Sequence, residues 1–419
     1  MVSATATTSA TTRELSPARR WSMLGLGMGA QAAGTVFVNA PAFLIPTLHD
    51  ERGLSLARAG LLVGMPTLGM MLTLILWGAL VDRVGERWVL AGGLLLTALA
   101  GLGAVMAGSL VATGAFLLLG GMAAASANAA SGRVVVGWFP PEKRGFAMGI
   151  RQMAQPIGVG VAALTIPLLA AHEGLNTALI VPTILTAVVG VVCAIAVIDP
   201  PRPSRKQADS SQLANPYRQS DLLWRIHGVS ILLVIPQFTV WNFALVWLIS
   251  RHGMSETTAG LVIVVSQILG AIGRMAVGIL SDRIGSRMRP LRTISVAAIC
   301  SMLLLGLTDW TGSWIAVVVM LVASVITVAD NGLAFTSVAE IGGPFWGGRA
   351  MGMQNTGQFL AAAVVPSVIG GLIGWVGYPL TFALVSIFPA IATPLVPKVD
   401  RIEPPAAPVL VPGPEPKVA

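Results

Sequence analysis

Apolar residues in this chain come in long unbroken runs. They show neither the alternation of a half-buried strand nor the single stripe of a soluble amphipathic helix. Runs of the length a helix needs to cross a bilayer, about 20 residues, fall near 21–47, 57–81, 88–108, 110–138, 146–171 and 176–198. A polar stretch with prolines, serines and basic residues then intervenes from Asp199 to Asp221. Six further runs follow near 225–250, 257–280, 290–308, 312–339, 350–374 and 377–396. The pattern predicts an all-α membrane protein with twelve transmembrane helices in two pseudo-symmetric six-helix bundles. It divides the chain into an N-terminal tail (1–20), a first bundle (21–198), a linker (199–224), a second bundle (225–397) and a proline-rich tail (398–419) expected to be disordered. Ser55 and Ser255 stand where each would cap the second or eighth helix.

The halves share more than hydropathy. The stretch Gly78-Ala-Leu-Val-Asp82-Arg83-Val-Gly85-Glu-Arg87 returns as Gly278-Ile-Leu-Ser-Asp282-Arg283-Ile-Gly285-Ser-Arg287, at an offset of 200 residues. Each copy ends an apolar run with a charged, glycine-containing turn, as a helix leaving a bilayer and reversing would. The register holds upstream, with Gly53-Leu-Ser55 against Gly253-Met-Ser255 and Ala59-Gly60-Leu61 against Ala259-Gly260-Leu261. Further on the offset becomes 203, pairing Ala147-Met148-Gly149 with Ala350-Met351-Gly352 and Gln152 with Asn355. One stretch written twice implies one bundle built twice.

The order Gly-x-Leu-x-Asp-Arg-x-Gly-x-Arg after the second and eighth helices resembles the signature of the major facilitator superfamily. The resemblance implies that Asp82 and Arg83 sit at the cytoplasmic seam between the halves. There they would hold an outward-open state against the start of helix eleven. A carboxylate suits a helix N-terminus, where free N–H groups and the macrodipole carry positive charge. Gly347-Gly348-Arg349 is the start for Asp82 to meet, and Arg144-Gly145 the one for Asp282. Gly78, Arg83, Gly85 and Arg87, with Gly278, Arg283, Gly285 and Arg287, complete the two gating turns.

Composition narrows the class. Of the 419 residues 55% are hydrophobic and 11% charged, and the mean hydropathy is +0.80, whereas soluble domains carry about a quarter charged residues. The net charge of +8 does not mark a nucleic-acid binder, because the cations gather in the loops of one side. Those loops hold Arg13, Arg19, Arg20, Arg83, Arg87, Lys143, Arg144, Arg202, Arg205, Lys206, Arg218, Arg225, Arg283, Arg287, Arg289, Arg292, Arg349, Lys398, Arg401 and Lys417. The other side keeps Arg52, Arg58 and Arg251. The positive-inside rule therefore places both termini in the cytoplasm, and the expected location is a cell inner or plasma membrane. Cys193 and Cys300 lie inside apolar runs and are read as small hydrophobes. Met1 to Ser16 is read as a retained tail, without a signal-peptide cleavage site.

An ionisable side chain at the centre of a membrane helix costs roughly 2.5–3.5 kcal/mol on insertion scales, so each one asks for a partner or a job. Arg133, Arg151, Arg274 and Asp330 qualify, and none recurs in the other half, where the equivalents are Thr336, Gln354, Leu74 and Ala127. A scaffold repeats, whereas a site for an asymmetric solute need not. Arg274, in Gly273-Arg274-Met-Ala-Val-Gly278, lies about 12 Å above the charged turn at the helical rise. It resembles the helix-eight arginine of monocarboxylate and oxalate transporters, which engages substrate carboxylate, although the aspartate those monocarboxylate carriers have one turn earlier is Gly270 here. A guanidinium offers carboxylate a planar bidentate fork. The bland alternative is an arginine that snorkels or pairs inside its own bundle.

Asp330 is the candidate for proton coupling, since burial raises a carboxyl's pKa; its bland alternative is a fixed ion pair with Arg274. Arg151 and Arg133, at similar depth on neighbouring helices, can form a positive patch, or Arg133 can simply anchor the end of helix four near Trp138. Among many amides, Asn39, Gln237, Asn242 and Asn331, with Trp241, are pocket candidates, because helices one, seven and ten line the cavity of the family that the chain resembles. Gln155-Pro156-Ile157-Gly158-Val159-Gly160 resembles the helix-five element of drug/proton antiporters, but with Gln155 and Val159 at its first and fifth positions. Pro156 can kink that helix.

No phosphate-binding loop and no His-Glu-x-x-His occurs, so neither an enzyme nor an ATP-driven pump is expected. The expected protein is a monomeric secondary transporter. It moves a small organic solute, an organic anion, by alternating access, with H+ as coupling ion, membrane lipids around it and no cofactor or metal. The alternatives are a proton-coupled efflux pump for cationic drugs, with Asp330 attracting the cation and Trp241 packing it, and a non-transporting sensor or scaffold.

Overall fold

The computed structural model describes residues 15–44, 56–201 and 208–400. The Ser55 cap and the loop cations Arg13, Arg52, Arg202, Arg205, Lys206, Arg401 and Lys417 lie outside them. In the first half α1 runs Pro17–Asn39, α2 Leu56–Val84, α3 Glu86–Met106 and α4 Leu110–Trp138. Helix α5 begins as Pro141–Arg151, breaks at Gln152 and Met153, and resumes at Ala154. Gly174, at φ 84°, separates it from α6 (175–196). In the second half come α7 Leu222–His252, α8 Glu256–Ile284 and α9 Met288–Trp310. The helical stretch Ile315–Val385 is divided by Gly343 (φ 59°) and Gly377 (φ 78°) into α10 (315–342), α11 (344–376) and α12, which continues through Ile387–Leu395. Only glycine takes such positive φ angles without strain, so single residues suffice to reverse the chain at these points.

These boundaries follow the hydropathy pattern closely, with two instructive exceptions. Apolarity alone starts α5 at 146 and α11 at 350, whereas each begins at a proline, Pro141 and Pro344. Proline fits the first turn of a helix, where its missing N–H would have had no partner. The first turn of α5 is too polar for a hydropathy window to include, with Glu142, Lys143 and Arg144, and that of α11 is set off from the apolar run by Gly347, Gly348 and Arg349. Ser255 caps α8 as expected, accepting from the Thr258 N–H at 3.2 Å.

Large apolar side chains such as Leu61, Leu164 and Trp375 face outward, the inverse of a soluble protein and suited to a hydrocarbon surround. Small residues fill the contacts between the halves. Gly78 on α2 faces Gly348 on α11, and Gly278 on α8 faces Gly145 on α5; a Cβ on either of Gly78 and Gly278 would collide with the facing carbonyl. One further repeat emerges in three dimensions. After α6, the Asp199 carboxylate accepts from the Arg87 N–H (2.7 Å) at the start of α3. After α12, Asp400 accepts from the N–H groups of Arg287 (2.6 Å) and Met288 (2.9 Å) at the start of α9. Asp400 thus anchors a position that the sequence assigned to the disordered tail.

Candidate functional site

Two polar latches join the halves at the end of the molecule that carries the duplicated turns. Asp82 accepts from the N–H groups of Gly348 (2.8 Å) and Arg349 (3.0 Å). Asp282 accepts from those of Gly145 and Phe146, both at 3.0 Å. Since α11 and α5 begin a turn early, each carboxylate meets the second turn of its helix. It gets that close because the facing residue is glycine.

The cations around the two carboxylates differ. On the Asp282 side Arg287 binds Asp282, Glu340 (3.3 Å) and the Pro141 carbonyl (2.8 Å), while Arg144 adds a bond to Glu340 at 3.3 Å. On the Asp82 side the corresponding Arg87 turns away, donating to the Ala194 carbonyl at 2.7 Å. Arg133 from α4 takes its place, binding Asp82 (2.8 Å), Glu86 (3.0 Å) and the Pro344 carbonyl (3.0 Å). Arg133 therefore belongs to the latch and forms no patch with Arg151, because its charge is spent on two buried carboxylates. Arg83 and Arg283 are exposed and take no part in either latch, although the sequence placed Arg83 with Asp82 at the seam.

Beyond the latches, between the halves, lies a narrow chamber lined by Gln31, Asn128, Gln152, Gln155, Gln237, Arg274, Asn331, Asn355 and Gln358, with Val234, Phe238, Phe335 and Phe359. It adjoins a second chamber, away from the latches, lined by Thr35, Asn39, Thr67, Met70 and Ala363 among others. Asn128, Gln155, Phe238 and Phe359 border both. Of the sequence candidates, Arg274, Gln237 and Asn331 line the first chamber and Asn39 the second. Asn331 donates to Gln237 and accepts from Gln358, both at 2.8 Å. Trp241 lines neither; its ring packs 5.9 Å from the guanidinium carbon of Arg274. Asn242 is exposed and also lines neither chamber.

Among the described residues Arg274 is the one ionisable group in the wall of the chamber. Its Nε donates to the Val328 carbonyl and its Nη1 to the Gln152 carbonyl, each at 3.3 Å. The second bond has a local cause. In an unbroken helix the Gln152 carbonyl would accept from residue 156, but Pro156 has no N–H to give, and the helix breaks just before it. The freed carbonyl is taken across the interface by Arg274. Among the described residues none accepts a hydrogen bond from Nη2, which leaves it for another acceptor.

Asp330 sits behind this wall, 1% exposed, with its Oδ2 lacking any hydrogen-bond donor. It makes no ion pair with Arg274, whose Nε and Nη1 donate to main-chain carbonyls. Arg151 is also behind the wall, on the side of the first half, bound to Ser131, Gln152 and the Asn128 carbonyl. Gln31 completes this network, accepting from Ser131 at 3.0 Å and donating to Asn128 at 3.2 Å. Ser131, Asn128, Glu86 and Glu340 are absent from the sequence-level candidates. For the two acids the available signal was their place within a turn of the duplicated motif or of a helix end; for Ser131 there was none.

Comparisons with known proteins agree on one family. Residues 24–366 match the family model described as Major Facilitator Superfamily. An uncharacterized MFS-type transporter of Mycobacterium tuberculosis is 49% identical over 378 residues, covering 90% of this chain and 85% of its own. A probable sulfoacetate transporter of Cupriavidus necator is 26% identical over 368 residues, covering 81% of this chain and 84% of its own. The crystal structure of a human organic anion transporter superposes with a TM-score of 0.71 at 19% identity, covering 91% of this chain and all of that one (100%).

Proposed function

Because the chain belongs to the Major Facilitator Superfamily, we propose that it is a secondary transporter moving a small organic anion by alternating access. It is a multi-pass membrane protein, here with the latched end shut. In this reading that end is cytoplasmic, as are both termini, in a cell inner membrane. The observation that carries the reading is Arg274: a guanidinium in the wall of an otherwise neutral, amide-lined chamber, with one edge of its fork free. A carboxylate on that edge would gain charge-assisted hydrogen bonds in a site of low dielectric, and the amides around it orient the rest of the solute. The sulfoacetate relative, whose named solute is an organic anion, supports the same class.

Asp330 is the proton site. It lies close enough to Arg274 to feel its charge but pairs with no cation, so its protonation is free to respond to what Arg274 holds. The drug-efflux alternative is less well supported: neither Asp330 nor Trp241 lines the chamber, and the Trp241 ring already packs 5.9 Å from the guanidinium carbon of Arg274. Uptake of organic anions into proteoliposomes tests the proposal. Arg274→Ala is expected to abolish binding and uptake, and Asp330→Asn to uncouple uptake from a proton gradient while leaving binding. Unimpaired anion uptake by Arg274→Ala would remove the reading.

A further inference from the structure

We propose that the central site takes a dianion, and that the Gln152 side chain is a removable cover over its second cation. This deepens the organic-anion reading and rests on it. The chamber displays one guanidinium, Arg274; the other, Arg151, is 1% exposed just behind the same wall. Arg151 has only neutral acceptors: Ser131 Oγ at 2.9 Å, the Asn128 carbonyl at 3.1 Å, Gln152 Oε1 at 3.0 Å and Met148 Sδ at 3.8 Å. Among the described residues no Asp or Glu pairs with it. A guanidinium in a membrane interior with no counter-charge is a costly arrangement for packing alone.

Of those acceptors, only the Gln152 amide is a side chain that borders the chamber. The same residue's carbonyl, freed by Pro156, holds Arg274. One residue thus stands between the two cations, its backbone on one and its side chain on the other, which puts both within the length of a short solute. A monoanion needs only the open edge of Arg274. A solute with a second carboxylate or sulfonate a few bonds away can replace Gln152 Oε1 on Arg151, exchanging a neutral acceptor for a charged one that bonds about twice as strongly. The charge count agrees. Arg133 and Arg349 already balance Asp82 and Glu86, so the core holds Arg151 and Arg274 against Asp330. With Asp330 protonated the excess is two positive charges, which a dianion cancels.

The test uses the purified full-length protein and paired acids: malonate with propionate, succinate with butyrate, sulfoacetate with propionate, at a pH where every acid group is ionised. The readout is the ratio of dianion to monoanion affinity, which factors out general damage to the site. In the wild type at least one dianion is expected to bind about 10-fold or more tighter than its partner, the worth of one hydrogen bond to a charged group. In Gln152→Glu a resident carboxylate occupies Arg151, and the ratio is expected to collapse toward one. In Gln152→Ala the cover is gone, and the ratio is expected to hold or widen. A wild-type ratio near one for every pair, a ratio that survives Gln152→Glu, or a collapse in Gln152→Ala overturns the inference. If binding of the monoanions still depends on Arg274, the organic-anion reading stands without it; if no acid binds at all, both fall.

Discussion

At the scale of residues, Arg133 shows how one side chain can be worth more than its neighbourhood suggests. It binds Asp82 and Glu86, whose side chains are both 0% exposed, and reaches the carbonyls of Gly343 and Pro344 at the turn into α11. Removing one partner of a buried charge network strands the others, at about 3–5 kcal/mol. Arg133→Met keeps most of the apolar length and loses the charge. It is expected to lower the unfolding temperature in detergent well beyond Arg87→Met, which gives up a bond to one carbonyl and a stacking contact with Trp88; an equal effect would remove Arg133 from the latch. The duplicated motif pointed to Asp82 and Asp282 and even to the backbone groups that they meet. It did not reveal that the guanidinium comes from the motif itself in one half and from α4 in the other. That choice depends on which long side chain reaches the carboxylate and the proline carbonyl in three dimensions, and sequence spacing carries no such information.

At the scale of elements, helix boundaries were legible because the bilayer demands long apolar runs, and the first turns of α5 and α11, each cut off from its run by a charged or glycine-rich stretch, were missed for the same reason. The break in α5 was readable from Pro156, but its consequence was not, because the carbonyl released at Gln152 finds its donor on α8 in the other half. Pro156→Ala restores the missing N–H and lets α5 run through. Since the restored N–H can close one more intrahelical hydrogen bond, worth about 0.5–1.5 kcal/mol, the variant is expected to be slightly more thermally stable than the wild type. It is also expected to turn over more slowly, because the Gln152 carbonyl then has a competing partner within its own helix and Arg274 loses its tie to the first half. Thermal unfolding and initial uptake rates check both parts. A variant that is faster, or no more stable, would show that the break does not serve the Arg274 contact.

At the scale of the whole molecule, the halves touch through glycine-to-backbone contacts and two carboxylates, each accepting two N–H groups of the opposite half. Such contacts are strong in place and vanish once the helices part by an ångström or two, which suits an interface that must have two discrete arrangements. The latches are unequal. The carboxylates of the Asp82 side are drier: the Asp82 and Glu86 side chains are 0% exposed, though Arg349 beside them is 22% exposed, whereas Asp282 is 5% and its neighbour Glu340 24% exposed. Water competes less for the first, so it contributes more to the closed state. An amide accepts poorly at two N–H groups and presents its own NH₂ to one of them, so Asp→Asn weakens a latch without changing its shape. A carboxylate at a helix N-terminus is worth up to ~2 kcal/mol when partly buried, and each ~1.4 kcal/mol moves the population tenfold.

A cysteine at Met351, buried in the closed arrangement, reports opening of the latched end through its rate of labelling by a water-soluble maleimide. The background for it carries Cys193→Ala and Cys300→Ala. The expected order of rates is Asp82→Asn plus Asp282→Asn fastest, then Asp82→Asn, then Asp282→Asn, then the parent. If Asp282→Asn labels faster than Asp82→Asn, water does not rank the two latches. If neither differs from the parent, the two carboxylates do not hold this end shut, and the closed state rests on the glycine contacts and the arginine bonds between the halves.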